Sequence, residues 1–193
     1  MKKKFCCLFM VVVFMLSGCS DNEYSIYERI NKRYYSLASY KAEGNITYYT
    51  NKTKNKYSFI EYFNGDTSHL IHYTDDDLKV CVREDGVFLK YLQRDKAVRI
   101  SDTDEGYRYI FPDCFFESYY LKETSAFDSD SEYVILETDC SDGAVSSMKM
   151  WIDTHTLDPY KIHIYDSDSD IVCEISFTSF DTDTQISDEL FEF

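Results

Sequence analysis

From Gly44 to Ser101 apolar and polar residues alternate through six short segments, GNITYYTN, KYSFIEYF, TSHLIHYT, DLKVCVRE, GVFLKYLQ and KAVRIS. A period of two puts every second side chain on one face of a strand. The breaks carry turn chemistry, among them Asn64-Gly65-Asp66, Asp75-Asp76-Asp77 and Glu84-Asp85-Gly86. Such breaks are too short for a crossover helix, so the strands form antiparallel hairpins and a doubly wound parallel sheet is excluded. Four further segments, EYVILETDC, AVSSMKMWID, YKIHIYD and DIVCEISFTSF, repeat the pattern. Their turns are Ser141-Asp142-Gly143, the Asp158-Pro159 step and the loop from Asp166 to Asp170.

Two stretches have helical spacing instead. In residues 22–38, Tyr27, Ile30, Tyr34, Leu37 and Ala38 fall on one face, and Gly44 suits the exit from that helix into a strand. In PDCFFESYYL, residues 112–121, Pro112 fits a first turn while Phe115, Phe116, Tyr119 and Tyr120 make an apolar side. About ten strands with so few helices predict an α+β domain: an open, strongly curved antiparallel sheet, a half-barrel, wrapped around the N-terminal helix and the short helical insertion.

The N-terminus fixes the compartment. Lys2 to Lys4 precede an apolar run from Phe5 to Leu16, followed by Ser17, Gly18 and Cys19, the form of an export signal. The run is shorter than the ~20 residues of a spanning helix. Leu-Ser-Gly-Cys resembles the lipobox of bacterial lipoproteins, which implies that residues 1–18 are removed and that Cys19 becomes the lipidated first residue. Two acyl chains hold a protein durably on a membrane. Residues 19–193 then suit one domain.

Loss of three signal lysines moves the formal charge from −15 to −18, which excludes nucleic acid as a partner. The acidity is lopsided. Residues 21–100 hold 13 Lys and Arg against 12 Asp and Glu, whereas residues 101–193 hold 4 against 23. Four cysteines remain after Cys19, namely Cys81, Cys114, Cys140 and Cys173. They allow three full pairings, but a domain of this size does not need disulfides, and free thiols are the expectation. Cys173 alternates with Ile171, Ile175 and Phe177 and is expected to point inward.

Candidate sites divide by chemistry. Asp166, Asp168 and Asp170 match the first ligand positions of an EF-hand loop, but Ile171 stands where glycine is needed and Phe177 where the bidentate glutamate is needed. Asp128, Asp130 and Glu132 fail similarly, at Tyr133 and Asp139. Both runs read as polar hairpin caps. Zinc needs converging His or Cys ligands, yet His69 and His72 are three apart in one strand and face opposite ways, and His155 and His163 each stand apart in sequence. No metal or cofactor is expected in this chain. With no Gly-x-Ser-x-Gly and no phosphate-cradling glycine loop, no catalytic residues are assigned, and accidental carboxylate pairs among so many acids carry no information. The 18 Tyr and 14 Phe either fill a half-buried sheet or line a groove for an acyl chain or a partner's side chains.

The order of parts resembles bacterial lipoproteins of the LolA-like fold. The resemblance is carried by the lipobox, the first helix running into Ser39-Tyr40-Lys41-Ala42-Glu43-Gly44, and the hairpins. Trp151-Ile152-Asp153 with Pro159-Tyr160-Lys161, and a closing Glu189-Leu190-Phe191, complete it. In that family the Trp-x-Asp and Pro-x-Lys motifs mark two adjacent strands. Within it, the GerS-like spore germination lipoproteins are the nearest in form. That resemblance implies a non-catalytic chain on the extracytoplasmic membrane face around the spore cortex. Its implied partner is a zinc-dependent N-acetylmuramoyl-L-alanine amidase of the CwlD type, which it activates in forming muramic-δ-lactam, with the zinc in the partner. The alternative is a lipid or lipoprotein carrier using the concave face. A homodimer is also open to such a chain.

Overall fold

Helix α1, Ile26–Tyr34, starts at a reciprocal cap: the Glu28 amide donates to Ser25 Oγ at 3.2 Å and the Ser25 amide to Glu28 Oε2 at 2.7 Å. Lys32 and Arg33 occupy its last turn, where the helix dipole favours cations. It stops four residues short of the expected end. The structure, a computed structural model, describes residues 25–192 apart from 66–67, 95, 102–106, 123–124 and 141–144. The signal segment, Cys19 and the Ser141-Asp142-Gly143 turn lie outside the described residues. None of the described helices is long and apolar enough to cross a membrane.

The first half of the chain supplies β1 (Ser39–Tyr49), β2 (Lys54–Asn64), β3 (Ser68–Tyr73), β4 (Leu78–Arg83), β5 (Gly86–Tyr91) and β6 (Val98–Ser101). Helix α2, Pro112–Leu121, follows with proline in its first turn as expected. The second half supplies β7 (Ala126–Ser129), β8 (Tyr133–Asp139), β9 (Ser147–Asp153), β10 (Pro159–Tyr165) and β11 (Ile171–Thr182). They form one open, eleven-stranded antiparallel sheet in the order β6-β5-β4-β3-β2-β1-β11-β10-β9-β8-β7. The additional strand is β7, a four-residue edge whose residues are all exposed, in a stretch that reads as polar loop. Each half of the chain is one wing of the sheet, so the acids on β7–β11 share one wing, while Asp113 and Glu117 lie on α2 and Asp188 and Glu189 in the turn Asp188–Phe191 beside β3.

The sheet is sharply bent. Helix α2 reaches β3 through His69, whose Nε2 is 2.9 Å from Asp113 Oδ2, and β8 through Thr138, whose hydroxyl donates to the Ser118 carbonyl at 3.4 Å. Strands β3 and β8 are six places apart, about 29 Å in a flat sheet at ~4.8 Å per strand. Asp113 and Ser118 are separated by only ~7.5 Å of helix axis. The two wings must therefore curl around α2, the half-barrel that the sequence predicts.

At the seam between wings, β1 pairs β11 with a bulge: Glu43 faces Ser179 while Gly44 faces Phe177, leaving Thr178 over. The extra residue resets the alternation, so Phe177 and Phe180, three apart, are both buried in the concave core. Gly44 belongs to this bulge. A Cβ on it would collide with the Ser176 carbonyl oxygen. The expectation that Gly44 marks the exit from the first helix is thus corrected, since β1 already begins at Ser39.

Cys173 is buried in the concave core, as its alternation predicts, while Cys81 packs with Leu70 and Phe191 in a small cluster on the opposite face. The closing turn Asp188–Phe191 caps that cluster, and Arg83 Nη1 donates to the Phe191 carbonyl at 3.2 Å. Cys81, Cys114, Cys140 and Cys173 are all free thiols. Gly44→Ala should cost about 2 kcal/mol or more, because backbone must move to admit one methyl group. A urea midpoint equal to that of the parent chain would mean that Ser176 does not approach Gly44 this closely.

Candidate functional site

Period-two alternation sends Tyr40 of β1, Glu61 of β2 and His69 of β3 to the concave face, where the first turn of α2 brings Asp113 and Cys114 to meet them. The Tyr40 hydroxyl is hydrogen-bonded both to the Glu61 carboxyl and, at 3.0 Å, to Asp113 Oδ1. Asp113 Oδ2 takes His69 at 2.9 Å and the Cys114 thiol at 3.7 Å. The imidazole is stacked between Phe63 and Phe111, with centroids 4.8 and 4.1 Å away.

Glu61 is only 1% exposed. Burial, reinforced by the Asp113 charge and partly offset by the Tyr40 hydrogen bond, holds its carboxyl well above the ordinary carboxylate range. A neutral Glu61 can donate its proton to the Tyr40 oxygen, which frees the Tyr40 proton for Asp113 and leaves one negative charge facing His69. Every member of the network is then satisfied, the condition for a buried polar cluster to be tolerated. Burial, with the Asp113 charge, also raises the Cys114 thiol far above its usual value.

His69 and His72 do face opposite ways, and His72 lies on the other side of β3. His69 nevertheless has company that sequence spacing hides, since Asp113 is 44 residues away along the chain. His163 also has partners: Glu174 at 3.1 Å and the Trp151 ring at 4.7 Å. Burial and the neighbouring Lys161 push its imidazole pKa down. His155 is exposed in a turn.

The aspartate runs serve their own loops. Asp166 Oδ1 accepts from the amides of Asp168 and Asp170, both at 3.0 Å, and Asp130 from those of Glu132 and Tyr133, both at 2.7 Å. Asp128 lies instead on β7. Trp151 stands opposite Lys161 across β9 and β10, with the ammonium 4.2 Å from the ring centroid. Asp153 closes that hairpin by accepting from the amides of His155 and Thr156 at 2.7 and 3.0 Å. The four motif residues therefore register two adjacent strands.

Helix α1 clamps onto this same hairpin. The Tyr34 hydroxyl donates to the Leu157 carbonyl at 2.6 Å, and Arg33 holds the Thr156 carbonyl at 2.7 Å and Asp158 at 2.5 Å. Tyr34 also stacks on Phe116 at 4.2 Å, and Ile30 is fully buried, so both occupy the concave space. A groove of about 370 Å³ remains at the outer side of α1 and α2, lined in part by Tyr35, Leu37, Asp113, Phe116 and Tyr120.

The other surface feature is the open edge. Of the eight large apolar side chains exposed among the described residues, four fall within ten positions at β5 and β6: Tyr91 (41%), Leu92 (44%), Val98 (56%) and Ile100 (43%). Val98 stands opposite Leu89, so it carries the apolar inner surface out to the rim.

The family model of YdcC-like sporulation proteins matches residues 1–191. The chain belongs to this family. A comparison with curated proteins finds no match. Among solved structures, an uncharacterized conserved protein from Thermus thermophilus is 10% identical with a TM-score of 0.53, over 87% of this chain and 91% of that one. At that identity the likeness speaks for the fold alone. Also similar are a chain of the complex between the CwlD amidase from Clostridioides difficile and the GerS lipoprotein (14% identity, TM-score 0.49, 87% and 98% covered) and the LolA superfamily protein NE2245 from Nitrosomonas europaea (11%, 0.47, 87% and 96%).

The buried Glu61 makes this YdcC-like chain sensitive to pH in a definite direction. Its folded pKa lies above the unfolded 4.5, so its contribution is complete below that pH and is lost as pH rises toward the folded value, with a slope of up to about 1.4 kcal/mol per unit. Glu61→Gln should remove this slope and so gain stability relative to the parent as pH rises. Denaturation midpoints that run parallel for the two chains across that range would mean that Glu61 ionises normally.

Proposed function

We propose that this sporulation protein is a non-catalytic, lipid-anchored activator that binds an extracytoplasmic N-acetylmuramoyl-L-alanine amidase of the CwlD type. The observation that carries the proposal is the edge position of β6 in the sheet, with Tyr91, Leu92, Val98 and Ile100 exposed along it. An edge strand offers hydrogen bonds to an added strand, and flanking apolar side chains supply the area that makes such a contact selective. Membership of a sporulation family and the GerS-like pattern of residues support the choice of partner.

A carrier of lipid or lipoproteins is the second reading. Against it stand Ile30 and Tyr34, which fill the concave space that an acyl chain would occupy. Native mass spectrometry of the purified chain showing bound acyl species would reverse that preference.

The mature chain should co-purify with the amidase and raise its activity on peptidoglycan. Val98→Lys together with Ile100→Glu should weaken the complex about 30-fold, the effect of losing a central apolar anchor worth ~2 kcal/mol. Failure to form a complex, with amidase activity unchanged, would end the proposal; binding that survives the double substitution would move the contact elsewhere. Separately, Cys19→Ala should release the protein from membranes, and a chain that stays membrane-bound without Cys19 would remove the lipid anchor.

A further inference from the structure

The network at the start of α2 gathers three donor atoms of different hardness. His69, Asp113 and Cys114 each offer a ligand atom within 4.8 Å of the others, with His69 Nε2 2.9 Å and Cys114 Sγ 3.7 Å from Asp113 Oδ2. Around a tetrahedral zinc-class ion with bonds of about 2.0 to 2.3 Å, adjacent ligand atoms stand roughly 3.3 to 3.6 Å apart. The two separations from the Asp113 oxygen bracket that spacing, and the third, from His69 to Cys114, lies within 4.8 Å, so those two side chains would draw together by up to about an ångström to close on one ion.

The surroundings favour such a site over a bare His–Asp pair. The imidazole is fixed between Phe63 and Phe111, and Asp113 presents Oδ2 inward because Tyr40 holds its other oxygen at 3.0 Å. A carboxylate held from behind by a hydroxyl is the outer-shell arrangement of metal sites. Asp113 also lines the groove beside α1 and α2, which supplies a path for the ion. One carboxylate and one thiolate balance a doubly charged cation, and a mixed nitrogen, oxygen and sulfur set selects zinc-class ions over calcium or magnesium.

We propose that His69, Asp113 and Cys114 form an intrinsic binding site for a zinc-class divalent ion, with a fourth position open to water or a further ligand. Binding places the ion on Nε2 of the imidazole tautomer protonated at Nδ1, and sends the Cys114 thiol proton to solvent. The site stands independently of the amidase, whose own zinc is a separate matter.

Cobalt and zinc serve as probes. The mature chain, stripped with chelator and kept reduced, should take up one equivalent of Co²⁺ with a thiolate-to-metal charge-transfer band, and Zn²⁺ should displace it. Cys114→Ser should abolish the band, and His69→Gln should weaken Zn²⁺ binding by about 10-fold or more, as loss of one ligand does. Tyr40→Phe should keep the band but weaken binding by about 10- to 100-fold, the usual effect of losing an outer-shell partner. His155→Ala should change nothing, and circular dichroism checks that each variant folds. No band at stoichiometric Co²⁺, or a band that persists in folded Cys114→Ser, overturns the assignment.

Discussion

A ten-residue helix that touches strands six places apart dictates the shape of this molecule. Contacts of α2 with β3 and β8 can coexist only if the sheet bends through most of a half-turn. The bend gives the inner face a small volume to fill, and Phe115, Phe116, Tyr34 and Ile30 fill it. It also keeps β6 and β7 apart, so both remain edges. A flatter sheet would expose the inner aromatic residues, and a closed barrel would remove the edge that distinguishes this surface.

The same bend explains why acids are tolerated in the core. Glu61 on β2 and Asp113 on α2 come together only because the wing β1–β6 wraps the helix, and Tyr40 stands between them as a bond donor and acceptor. Each side chain in the chain of contacts from Glu61 to His69 has a partner. Truncating any one member would leave a buried partner unsatisfied, which commonly costs about 1–3 kcal/mol. The network therefore favours one placement of α2 over sliding alternatives that an all-apolar contact would permit.

Much of the architecture was legible because alternation and turn chemistry are local signals. Pro112 announced a helix start and the Asp158-Pro159 step a turn, since each acts within a few residues of itself, whereas Trp151, Asp153, Pro159 and Lys161 marked two adjacent strands through the family resemblance. Misses arose where the decisive contact is distant. Gly44 read as a linker residue because nothing nearby shows that Ser176 will press against it. Strand β7, only four residues long and exposed at every one, was hidden because it is defined by pairing with β8 rather than by burial. The meeting of His69 with Asp113 and Cys114 follows from the curvature of the sheet, and no spacing encodes it. The exposed rim at Val98 and Ile100 was equally hidden, because alternation predicts which side chains share a face but not where that face runs out of cover.

The seam at the centre of the sheet has a consequence for biogenesis. Residues 40–48 pair with residues 173–182, so the two middle strands of the finished sheet come from opposite ends of the domain. As the chain is made from its N-terminus, the hairpins of one wing can assemble early, but β1 must wait for β11 to emerge. Until then the concave core lacks a wall and β1 is itself an unprotected edge. Closure of long-separated strands is intrinsically slow and leaves apolar surface open to wrong partners. Strand β11, which carries Phe177 and Phe180 and follows every other described strand, is thus what commits the earlier hairpins to a single fold.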